Sequence, residues 1–209
     1  DHQLRAPEMA AALARLIPEQ DNLRAALQWA LTTGHYAGAA WLLVVASYFW
    51  NLAGFAYEEA RWLGQVLPHR QALDPELRLA LLLTFYRAAF AVPEFHPLEP
   101  YMCEITQLLE HCSHPLLHAT AWAFQASTAP DVAQAITIMD RAITLARAAQ
   151  AGPALSPHYG AISDAHFNLA AHLCGYAALL IDQGQAVRAA AIAAESLQLF
   201  RAHGNRAGI

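Results

Sequence analysis

The chain has 209 residues, a net charge of −5, and a composition that is 56% hydrophobic but only 14% charged. Ala fills 47 positions and all twelve cationic side chains are Arg, so no Lys is present for a phosphate-binding P-loop or a Schiff base. The mild acidity, with Arg dispersed rather than clustered, argues against a nucleic-acid surface.

Pro and Gly punctuate the chain at intervals of helical length, among them Pro18, Gly34, Gly54, Pro68, Pro75, Pro93, Pro130, Pro157 and Gly184. Pro inside a helix loses a hydrogen bond and clashes with the preceding turn, so these positions mark boundaries. The resulting elements are helices near 7–17, 20–33, 36–52, 55–67, 75–91, 98–112, 116–128, 131–150, 158–183 and 185–202. The first stripe is Leu23, Ala26, Leu27, Ala30 and Leu31, with Asp21 as its expected cap. Ala37 to Trp50 is the most apolar stretch, about fourteen residues long, whereas a membrane span needs roughly twenty. A buried core helix is expected there. Asp74, Pro75 and Glu76 place a cap, a first-position proline and a first-turn acid in order. Tyr101, Ile105, Leu108, Leu109 and Cys112 share one face, and Ile136, Met139, Ile143 and Ala146 another. Asp131 is the expected cap after Pro130. No alternating strand pattern or hairpin turn signal occurs. The three Cys are scattered without a CxxC, and no signal peptide is visible, so a reducing cytoplasm is the expected compartment.

Residues 116–149 and 170–203 superimpose at an offset of 54. Ala119 meets Leu173, Trp122 meets Tyr176, Ala123 meets Ala177, Ala126 meets Leu180, Pro130 meets Gly184 and Ala135 meets Ala189. Each unit reads as a helix, a turn and a second helix with small residues facing the first. This pattern resembles the tetratricopeptide repeat. It departs from it where an aromatic is usual on the second helix, here Met139 or Ala193, and in lacking the closing Pro. The resemblance implies an all-α, antiparallel helix-hairpin solenoid with a right-handed superhelical path. It implies one domain over 1–209, with degenerate pairs over 1–112 and clearer units at 116–149 and 170–203. An irregular helical bundle built of 34-residue hairpins is the alternative.

Two stretches carry a further resemblance. One runs from Leu4-Arg5-Ala6-Pro7-Glu8 into Glu19-Gln20-Asp21-Asn22-Leu23-Arg24-Ala25-Ala26-Leu27-Gln28-Trp29-Ala30-Leu31 and Gly34, then Tyr48-Phe49-Trp50, Gly54, Glu58 and Arg61-Trp62-Leu63. The other is Leu199 to Ile209. Together they resemble the helical arm of bacterial STAND-class regulators, the signal-transduction ATPases among LuxR-type and AfsR-type transcriptional regulators. The catalytic parts of that family are absent, so the resemblance implies a fragment of a larger protein: a non-catalytic arm for protein interaction or effector sensing. The repeat's groove positions then fall on Thr120, Phe124 and Ser127, on Cys174, Ala178 and Asp182, and on Tyr48 and Asn51. This face is short of charge, which suits a hydrophobic peptide, a small apolar inducer or self-association. A small-ligand receptor domain is the second reading.

No catalytic set and no cofactor is expected. Glu58 and Glu59 diverge by adjacency, Glu104 and Glu110 diverge at six residues apart, and Asp164 and His166 could form an acid-base pair only with help from elsewhere. His111, Cys112, His114 and His118 fall within eight residues and are the metal-ligand candidates of a third reading, although Cys112 also fits its helix's apolar stripe. Most of the five Trp are expected in the core, with Trp50 and Tyr48, near a turn, as exceptions.

Overall fold

The computed structural model describes residues 14–89, 92–95, 98–112, 114–152, 159 and 162–202. Among them every regular element is helical and there is no strand. The chain divides into two compact units, the first running to Leu108 and taking in Tyr159, the second starting at Leu109 and resuming at Ile162. The helix expected near 7–17 lies mostly outside the described residues, as does the segment from His203 to Ile209.

The first unit holds α1 (Gln20–Thr32), α2 (Tyr36–Leu52), α3 (Ala56–Val66), α4 (Pro75–Ala89) and α5 (Glu99–Leu109), with 3-10 turns at Leu67–Ala72 and Pro93–Phe95. α2 is apolar on nearly all sides because α1, α3 and α4 all pack against it. Its Leu43, Val44, Tyr48, Phe49 and Trp50 are buried. This corrects the reading of Tyr48 and Trp50 as turn-exposed exceptions. The exposed tryptophans are instead Trp29, at 56%, and Trp41, at 45%. α1 starts one residue ahead of Asp21, which sits in the first turn and bonds Arg24 at 2.8 Å rather than capping. At α4 the expected cap is in place: the Leu77 N–H donates to Asp74 Oδ1 at 2.9 Å.

The second unit holds α6 (Pro115–Ala126), α7 (Val132–Ala151), α8 (Ala165–Asp182) and α9 (Ala186–Ala202). Consecutive helices pack side by side. The repeat-matched residues Ala119 and Leu173, Ala123 and Ala177, Ala126 and Leu180, and Ala135 and Ala189 are all buried. Ala142, Ile143 and Ala146 of α7 join Leu169, Leu173 and Tyr176 of α8 in the same core. Small side chains here leave little bulk between helix backbones, which is how so Ala-rich a sequence fills a core.

The helix expected from 158 begins only at Ala165. Asp164 Oδ1 accepts the His166 and Phe167 N–H groups at 3.1 and 2.9 Å, and the Asn168 amide donates to the Ile162 and Asp164 carbonyls. These bonds satisfy the helix start and set its boundary.

One turn recurs. The α8–α9 hairpin closes with Gln185 N–H donating to Leu180 O and Gly184 N–H to Ile181 O, both at 2.8 Å, with Gly184 at φ +71. The same bond pattern closes α1 onto α2 and α2 onto α3. It is the paired 6→1 and 5→2 arrangement that needs a left-handed residue after the helix. Pro130, the repeat partner of Gly184, cannot take positive φ. The α6–α7 turn therefore runs two residues longer, from Ser127 to Asp131, and Asp131 Oδ1 caps α7 by accepting the Gln134 N–H at 2.7 Å.

Candidate functional site

The groove positions implied by the repeat are not all at a surface. Tyr48 is 2% exposed beneath the helices around α2, and Thr120 is 0% exposed with its hydroxyl donating to Leu116 O at 2.9 Å. Neither has a face to offer a partner. A groove mapping transferred by spacing fails at these two positions because each helix here has more than one packed side. Phe124 is half-buried. Asn51, Ser127, Cys174, Ala178 and Asp182 are exposed.

Two of the four metal-ligand candidates, His114 and His118, are used locally. His114 caps α6, its Nδ1 accepting the Leu116 N–H at 3.3 Å. His118 Nε2 donates to the Cys112 carbonyl at 2.6 Å. Among the described residues no three His, Cys, Asp or Glu side chains stand together as metal ligands. Asp164 serves as a helix cap, its Oδ1 accepting the His166 and Phe167 N–H groups. His172 is buried on α8, and burial pushes its imidazole down to about 4.

A different site emerges in the first unit. Arg61, Gly64 and Gln65 of α3, Leu67 just beyond it, Phe85 of α4, Glu94 and Phe95 of the second 3-10 turn and Tyr101 of α5 line a cavity of about 400 Å³. That is within the roughly 300–1,000 Å³ range of small-molecule clefts. Three aromatic rings make its walls. Phe85 meets Phe95 edge-on with centroids 5.6 Å apart, and meets Tyr101 at 5.1 Å. Arg70 lies over the Tyr101 ring, 5.6 Å from its centroid, and is itself held by Glu104 at 2.8 Å.

Gly64 explains why Phe95 stands where it does. A Cβ at this mid-helix position would come within 2.9 Å of Phe95 Cε1, so only glycine lets the ring edge rest on the α3 backbone. Glycine within a helix costs about 0.5–1 kcal/mol relative to Ala, and here the absent side chain makes room for an aromatic wall.

α3 distributes its polar residues to different partners. Tyr57 donates to Glu94 Oε2 at 2.8 Å, and that bond raises the phenol above its ordinary range. Glu58 accepts from Arg24 Nε and Nη2 at 2.6 and 2.7 Å and from Trp62 Nε1 at 3.3 Å. The Arg24 bond holds the Glu58 carboxyl below its ordinary value. Glu59, fully buried, accepts from Arg87 at 2.7 Å, yet desolvation outweighs that bond and lifts its carboxyl to about 7. Arg61, exposed at the cleft, has no carboxylate within ion-pair distance among the described residues.

The cleft lies outside every expected site residue. Two signals for it stood in the sequence: a glycine inside an otherwise helical run, and an aromatic in the connection between Pro93 and Pro97. Neither says that the two meet.

No family model matches the chain, and no curated protein matches it. Among solved structures it is similar to BtubC (BKLC) from P. vanneervenii, with a TM-score of 0.58 and 14% identity over 93% of this chain and 79% of that one. At this identity the likeness concerns the fold alone. No helix among the described residues is long and apolar enough to cross a membrane.

Proposed function

We propose that the chain is a non-catalytic, effector-sensing and protein-interaction arm of a bacterial signal-transduction ATPase of the transcriptional-regulator type, working in the cytoplasm. In this reading its helix hairpins stack in the tetratricopeptide manner, and the 116–149 and 170–203 units are successive repeats. The observation that carries the reading is the Arg24–Glu58 bond. The two parts of the stretch that resembles such arms, the Asn22-to-Leu31 phrase on α1 and the Glu58-to-Leu63 phrase on α3, are joined by a two-pronged guanidinium–carboxylate contact. Shared burial of the matched residues in the second unit supports the stacked-hairpin part. The likeness to BtubC supports a helical fold over most of the chain and bears on nothing further.

The coding frame on either side of this chain tests the assignment. An upstream module with a phosphate loop and its Lys supports it, and a reading frame without one would sink it. A high-resolution structure of the stacked hairpins tests the architecture: helix pairs turning about one axis support the solenoid, and a closed bundle overturns it.

The small-ligand receptor reading is favoured by one observation of its own, the aromatic-walled cleft, and it is compatible with effector sensing by the same arm.

A further inference from the structure

The cleft has a definite chemical character. Its floor and walls are rings: Phe85 is 1% exposed, and Phe95 and Tyr101 are half-buried around it. Phe95 and Tyr101 keep part of their surface toward the cleft, where contact with a further ring would add to simple area burial. Two charged groups line it. Glu94 already accepts the Tyr57 hydroxyl at 2.8 Å. Arg61 brings a guanidinium with no carboxylate partner among the described residues. A guanidinium is a planar fork that fits a carboxylate with two parallel hydrogen bonds. A partly aromatic cleft lined by a guanidinium without an ion-pair partner among the described residues and by a carboxylate already bonded to Tyr57 selects by both shape and charge.

We infer that this cleft binds a small aromatic carboxylate, with the ring against the partly exposed Phe95 and Tyr101, which Phe85 backs from beneath, and the carboxylate on Arg61. The inference names the effector class for the sensing part of the proposed function and rests on that part. Gly64 acts as a positioning residue, since it sets the place of Phe95 without itself supplying affinity.

Three probes of matched size separate the alternatives: phenylacetate, neutral phenylacetamide and cationic phenethylamine, titrated into the whole chain by calorimetry. Phenylacetate is expected to bind saturably, about tenfold tighter than the amide, as a charge-assisted contact would give. Arg61→Gln should bring phenylacetate to the level of the amide. Gly64→Ala should weaken both, because the added Cβ displaces Phe95. Arg61 is exposed, so its replacement leaves the core untouched, and circular dichroism checks both folds. Absence of binding by all three probes, tighter binding of phenethylamine, or a preference for phenylacetate that survives Arg61→Gln would each overturn the inference. Failure here leaves the coding-frame test of the arm untouched, and failure of that test leaves the titration standing.

Discussion

Arg87 on α4 donates to Glu59 on α3 at 2.7 Å, and the carboxylate it meets has no exposed surface. Glu59 Oε2 and Arg87 Nε have no hydrogen-bond partner among the described residues, so the pair is only partly satisfied. Desolvation is then the largest influence on the acid. Above about pH 7, where Glu59 is ionised, breaking such a pair from one side leaves a buried charge alone, which typically costs about 3–5 kcal/mol. Arg87→Ala is expected to destabilise the first unit by that order, read from the urea midpoint.

The same pair sets a pH dependence. Glu59 sits at about 7 in the fold against an ordinary 4.5. Its contribution to stability is full below about 4.5 and falls as pH rises to about 7, because over that interval the folded state holds the extra proton. Glu59→Gln should remove this loss, so the stability difference between parent and variant shifts in the variant's favour from pH 5 to pH 7.5. Parallel curves would show that the carboxyl titrates normally.

His172 works in the opposite sense over an overlapping interval. Buried and held near 4 against an ordinary 6.5, it stays neutral while the unfolded chain takes a proton. Its contribution is full above about 6.5 and is lost as pH falls toward 4. His172→Leu should flatten the acid side of the stability profile. An unchanged slope below pH 6 would place the titrating group elsewhere. Measured alone, the parent protein would show the two effects partly cancelling, so both variants are needed.

Gly184→Ala isolates backbone strain, since a Cβ there has nothing within 4 Å and the residue sits at φ +71. A loss of about 1–2 kcal/mol in denaturant titration is expected from the left-handed conformation alone. No loss would mean that the α8–α9 turn can re-form without its paired cap.

Tyr176 bonds both Asp140 of α7 and Arg188 of α9, and Arg188 also lies 5.2 Å from the centre of its ring. Burial is the first cause of its rise to about 12, so the phenol donates as a neutral group. Tyr176→Phe keeps the buried ring and removes the link, for an expected loss of about 1 kcal/mol. A cycle with Asp140→Asn should be non-additive, because the two residues share one network. Simple addition of the two losses would show the network to be decorative.

The helical plan was legible because it depends on local rules. Pro75, Asp74, Asp131 and Gly184 mark ends through backbone chemistry that acts within a few residues, and structure and sequence agree there. The offset between 116–149 and 170–203 named core residues correctly, since a small residue repeated at one helix position has one economical use, contact with the next helix. The site was not legible. Gly64 and Phe95 are thirty-one positions apart, and nothing in either flank says that one ring rests on the other's backbone.

What the amino-acid sequence by itself determined was an all-helical chain, its main breaks and the buried small residues of its clearer repeat. Only the tertiary structure decided which aromatics sink and which line a cleft. Tyr48 and Trp50 went inward, Trp29 and Trp41 stayed out, and Phe85, Phe95 and Tyr101 came together beside Arg61. The physical reason is range. Helix propensity, caps and turns are settled by neighbours along the chain, whereas burial depends on how many other helices reach a given side, and α2 is reached from three.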